Sequence, residues 1–244
     1  MFFKIQVDFP LNFISNNLLI YRTDDPIGIL IINNFNNKQQ AAMFKNELKK
    51  TIRLSLPMIV GQIGQLTMSV ADNIMVGRVG TDTLAAAAIG NALFTLILVL
   101  GFGVSMAVTP LTAMAAGAGR DKDCGVVLRQ GLIVNLLFGA LLCGLTFAGA
   151  ESIRFLNQPL PIVAPAILYM KVLGISMLPL MLFQSFRQFA EGVSFLKPAM
   201  VITLLANLVN ILVNWIFIYG NLGAPALGLT GAGIATLSSR TFMA

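Results

Sequence analysis

From Leu54 to the end of the chain, apolar residues run on in blocks of about 20, separated by short polar links. An α-helix rising 1.5 Å per residue needs that length to cross about 30 Å of hydrocarbon. Five complete spans can be drawn, roughly 54–77, 88–112, 126–149, 162–186 and 198–219, and a sixth opens near 226 and is still running at Ala244. A helix satisfies its own backbone in lipid, and the alternating pattern of a barrel strand is missing. The pattern therefore predicts an all-α membrane protein, a six-helix transmembrane bundle whose sixth helix is truncated. Pro110, near the end of the second span, and Pro179, inside the fourth, are expected to bend their helices. Gly61, Gly64, Gly131, Gly139, Gly231 and Gly233 are expected to let helices approach closely.

Residues 1–42 read differently: they are rich in Asn, carry no sustained periodicity, and lack the basic, apolar, small-residue order of a signal peptide. They are read as an extraneous or disordered lead-in to a transmembrane lobe over 43–244, with Met43 as the natural start and a mobile tail as the alternative.

Composition supports the class: 57% of residues are hydrophobic and 11% charged, against about 25% charged in soluble domains. The net charge of +6 comes from short clusters between the spans, which fits orientation in a bilayer and argues against a nucleic-acid partner. Lys45, Lys49, Lys50, Arg53, Arg120, Lys122, Arg129, Arg187 and Lys197 fall on one side and only Arg78 and Arg154 on the other, so the N-terminus is expected in the cytoplasm. Arg240 is read as lying near the inner end of the last span. Histidine is absent, which removes the usual general base and the commonest metal ligand, and with them most enzyme readings. No Gly-Lys-Ser/Thr loop follows a strand, so pumping would draw on an ion gradient, with no cofactor.

A carboxylate inside a membrane is costly, and Asp72 is the one acid well inside a span. Gln65 and Ser69 share its face at helical spacing with Met68 between them, a stripe suited to lining a cavity and to binding H+ or Na+ at Asp72. The bland reading is a structural Asp satisfied by neighbouring donors. Asn207, Asn210 and Asn214 form a second stripe on span five, able to ligate Na+, to hydrogen-bond Asp72, or to hold helices together. Lys171 sits at a depth near that of Asp72; either the two pair, or the Lys snorkels outward. The methionines spread over several spans suit ligands of varied shape and serve equally as lipid-facing filler.

The runs VADNIMVG, TPLTAMAAGAGR, FQSFRQFAEGVSFLKPAM and NLVNILVNWIFIYGNLGAPALGLTGAGIAT resemble the multidrug and toxic compound extrusion (MATE) family in its NorM-like branch, over about residues 45–244. The resemblance implies one lobe of a twelve-helix antiporter of the bacterial inner membrane, exporting cationic or amphipathic drugs in exchange for H+ or Na+. It implies Asp72 as the first-helix acid of cation coupling and Asn210 and Asn214 as positions of the same site. Where some relatives carry a second acid this chain carries Asn214, which puts a two-carboxylate site in doubt. Arg187 and Glu191 match a cytoplasmic-loop motif one helical turn apart and are expected to pair. A second six-helix lobe would be required, and the fragment alone is expected to be inactive. The competing readings are a lipid or oligosaccharide flippase of the same superfamily and a membrane scaffold subunit that transports nothing.

Overall fold

A computed structural model describes residues 19–22, 29–32 and 37–244, with side chains from Phe44 on except those of Lys50 and Leu54. The lead-in expected over 1–42 thus falls largely outside the described residues. The chain divides into two units, Met1–Arg53 and Leu54–Ala244. In the first, strands β1 (Leu19–Arg22) and β2 (Ile29–Ile32) pair antiparallel, with Leu19 opposite Ile32 and Arg22 opposite Ile29.

The second unit is helical. Helix α1 covers Asn37–Gly77, its earlier turns belonging to the first unit, and is followed by α2 (Thr81–Ser105), α3 (Val108–Gly117) and α4 (Asp121–Ser152). Then come α5 (Leu160–Ile175), α6 (Met177–Gly192), α7 (Lys197–Tyr219) and α8 (Leu229–Met243). Among the described residues four segments are long and apolar enough to cross a membrane: Phe44–Gly77, Thr81–Gly117, Asp121–Phe155 and Lys197–Tyr219. A fifth is the pair α5 and α6, bent by 40°. Helix α8 has 15 residues, about 22 Å of rise.

Proline chemistry explains both interrupted spans. Pro179 stands three residues into α6, so the Ile175 carbonyl meets a ring where a helical N–H would be, and the helix breaks at Ser176. Pro110 does the same to the carbonyl of Met106, at the break between α2 and α3.

Hydrogen-bond partners reveal how the helices run. From α7, Asn207 donates to the Gly64 carbonyl, Asn214 to Asp72 and Tyr219 to the Met75 carbonyl, so α1 and α7 lie parallel and in register. Helix α8 meets α1 in the opposite sense, through Thr236 to Asp72 and Ser239 to Met68. Helix α4 opposes α6 in the same way, Asn135 donating to Ser185 while Gly139 packs on Met181. Small residues permit this closeness. A Cβ on Gly231 would stand 2.6 Å from the backbone of Phe217, and one on Gly131 2.9 Å from Val108, whereas Gly61 faces open space.

Around an apolar core that includes Leu142, Met170 and Met181, burial departs from that of a soluble protein. Large apolar side chains such as Leu66, Leu96, Leu137 and Leu208 point outward, while Ser105, Thr112, Asn135, Thr146, Asn210 and Asn214 are buried inside. Lipid is as apolar as leucine, so such a bundle gains by turning its polar groups inward where they bond one another.

Candidate cation site

The parallel register of α1 and α7 brings the two polar stripes together near one end of the bundle. Asp72 lies five residues before the end of α1 and Asn214 five before the end of α7. Asn214 Nδ2 donates to Asp72 Oδ1 at 2.5 Å and to Asn210 Oδ1 at 3.0 Å. From α8, Thr236 Oγ1 donates to Asp72 Oδ2 at 3.4 Å. Three helices therefore converge on one carboxylate, with neutral donors on both of its oxygens.

Several polar atoms here are buried and have no protein partner: Asn207 Oδ1, Asn210 Nδ2 and Asn214 Oδ1. An unpaired buried polar atom costs about 1–3 kcal/mol, and the Asn214 oxygen, on the amide that bonds Asp72, is the kind of neutral oxygen a hard cation takes together with a carboxylate, whereas Asn207 lies at the level of Gly64. Among the described residues no group of three or more His, Cys, Asp or Glu could hold a metal ion. Asp72 therefore works with amide and hydroxyl neighbours.

The remaining candidates divide. Asn207 Nδ2 bonds the Gly64 carbonyl at 2.6 Å, which makes it the clamp between α1 and α7. Met68 is half-buried and accepts from the Ser239 hydroxyl at 3.9 Å, on the α8 side of the site. Gln65 is half-buried on α1, seven residues and about 10 Å of rise from Asp72, and Ser69 is exposed, so neither joins the cluster.

Lys171, read as either pairing with Asp72 or snorkelling outward, pairs instead with another acid. Lys171 Nζ lies 2.6 Å from Glu151 Oε1, and Arg154 shares that carboxylate at 2.8 Å. Glu151 fell just outside the span drawn from hydropathy, but α4 continues to Ser152 and brings it level with Lys171 on the antiparallel α5. The depth of Lys171 relative to Asp72 matters less than this nearer partner. Arg187 and Glu191 pair at 3.0 Å, largely buried.

Two contributors escaped the sequence reading. Thr236 carried no signal, since a lone threonine in an apolar run usually bonds its own helix, as this one also does to the Ala232 carbonyl. Arg240 was placed at a membrane edge, yet it points into the bundle, where Nη1 donates to Ser176 Oγ at 2.6 Å and the guanidinium lies 5.1 Å from the Phe94 ring centre.

Fold and site together define a multi-pass helical membrane protein with a polar interior centred on one carboxylate. The chain belongs to the MatE family, the multidrug and toxic compound extrusion proteins, whose family model matches residues 57–216. It is 35% identical over 193 residues to the multidrug resistance protein NorM of Vibrio cholerae and 34% identical to the multidrug resistance protein MdtK of Yersinia pestis. Each match covers 79% of this chain and 42% of the relative, so the chain spans less than half the length of these proteins. Among solved structures it resembles the outward-facing conformation of a multidrug resistance MATE family transporter of the MOP superfamily. That likeness has a TM-score of 0.72 at 27% identity and covers 79% of this chain and 42% of the other.

Proposed function

We propose that this chain forms the N-terminal lobe of a secondary multidrug exporter, moving cationic or amphipathic compounds out of a bacterial cell in exchange for H+ or Na+, with Asp72 as the exchanging group. The observation that carries this reading is the meeting of α1, α7 and α8 on that carboxylate, beside the unpaired oxygen of Asn214. Burial disfavours a charged carboxylate, and neutral donors alone do not cancel its charge, so a cation arriving from either side of the membrane finds a ready site. Asn210 and Asn214 hold the carboxylate in place. A lipid or oligosaccharide flippase would call for a larger, more basic cavity, and a scaffold would need no such acid.

Alternating access needs two lobes that rock against each other, so transport requires a second six-helix lobe as partner, in a bacterial inner membrane with the N-terminus cytoplasmic. The relatives named multidrug resistance proteins supply the substrate class. The test is accumulation of a cationic dye in cells that lack their own efflux pumps and express the full-length protein containing this lobe. The Asp72→Asn protein is expected to leave cells as full of dye as an empty vector, while the unaltered protein empties them. Equal emptying by both would remove Asp72 from the mechanism and favour another reading.

A further inference from the structure

A guanidinium in the interior of a membrane bundle needs an account of its charge. Arg240 is the twelfth residue of α8, about 16 Å of rise from Leu229. Its direct contacts are neutral: the Ser176 hydroxyl at 2.6 Å and the face of Phe94 at 5.1 Å. Glu191 holds Arg187, and Glu151 holds Lys171 and Arg154. Thr236, one turn earlier on the same face of α8, touches Asp72 Oδ2. Residues four apart on a helix stand about 5–6 Å from each other, so α8 carries the carboxylate contact and the positive charge side by side. Opposite charges held on neighbouring turns attract through space, and among the described residues Asp72 and Arg240 form no direct ion pair. Tyr169 of α5 donates its hydroxyl to Asn91 Oδ1 at 3.0 Å, so its phenol is a neutral neighbour. Helix α7 brings amides to the site and α2 the Phe94 ring, and the charged pair of α6 lies more than ten residues from Ser176 and neutralises itself.

We propose that Arg240 is a resident counter-charge to Asp72, competing with the exchanged cation and, through Ser176, tying the state of that carboxylate to the break between α5 and α6. This rests on Asp72 being the exchanging group. Ser176 is fully buried at the only residue separating the two halves of the bent span. A cation bound to Asp72 cancels the attraction and leaves Arg240 on Ser176. Its departure draws the guanidinium toward the carboxylate and loosens the break. Arg240 acts here as a positioning residue, since it reaches the exchanged ion only through Asp72.

The test is an infrared titration of the isotope-labelled Asp72 carboxyl in the full chain held in lipid nanodiscs. Arg240→Met is expected to raise the apparent proton affinity of Asp72 by about tenfold, and Arg240→Lys to restore most of the ordinary value. Ser176→Ala should lower that affinity, because it frees the guanidinium for the carboxylate, and should speed amide exchange around the break. Arg240→Met titrating together with the unaltered chain would overturn the proposal, as would Arg240→Lys behaving like Arg240→Met. Should the Met variant not fold, solid-state NMR of the unaltered chain decides: the Arg240 guanidinium signal must shift with the same midpoint as the Asp72 carboxyl, and a signal blind to that titration overturns the proposal. If Asp72 itself never titrates, it is the proposed function that fails.

Discussion

Asp72 and Lys171 are both ionisable residues within apolar runs, and the bundle treats them in opposite ways. Asp72 is met by neutral donors, as the proposed exchanging group requires. Lys171 is held by Glu151 on the outside of the bundle, with about a third of its side chain exposed. Lys171→Met is therefore expected to leave the cation dependence of dye export unchanged; a clear shift in the half-saturating cation concentration would return Lys171 to the ion site. The stripe Asn207, Asn210 and Asn214 was legible in the sequence because helical spacing alone places residues on one face. Which of its members meets Asp72 was not legible, since that depends on the register of α7 against α1. Arg240 was misread for a related reason: charges near a run's end are usually flanks, and only the point where α8 begins shows how deep this one sits.

Helix boundaries show where hydropathy stops being informative. Helix α1 begins at Asn37 and α4 at Asp121, well before the apolar runs drawn at 54 and 126. Lys, Glu and Gln are good helix formers, and Asp121 and Asp123 suit the positive end of a helix, so polar turns continue the helix beyond the lipid-length core. The prolines could be read directly, and both interrupted spans break next to them. Glycine spacing pointed to close packing without saying which helices would touch. Helices α7 and α8 approach each other this closely at Gly231, as α3 and α6 do at Gly192. Gly231→Ala would drive a methyl into the Phe217 backbone and push α8, with Thr236, away from Asp72. The expected cost is about 1–3 kcal/mol of stability, read as earlier thermal unfolding in detergent, together with weaker cation binding. An Ala variant as stable as the parent would show that the two helices slide freely.

Taken as one body, Leu54–Ala244 packs an apolar core, exposes many further large apolar side chains and keeps its hydroxyls and amides for internal bonds, an arrangement suited to lipid. The membrane class was legible from run length and composition because lipid thickness sets a single strong constraint. Function was less legible, because one carboxylate can bind ions or hold helices, and its partners come from three separate helices. The chain spans 42% of the length of NorM from Vibrio cholerae, and a transport cycle in the proposed exporter would need the opposing lobe as well. Gradient-driven dye movement by the full-length protein in liposomes tests the role of Asp72 most directly. An imposed H+ or Na+ gradient should drive dye uphill with the unaltered protein, whereas the Asp72→Asn protein should bind dye and fail to concentrate it. Uphill accumulation that survives the loss of that carboxylate would contradict the assignment of cation exchange to Asp72.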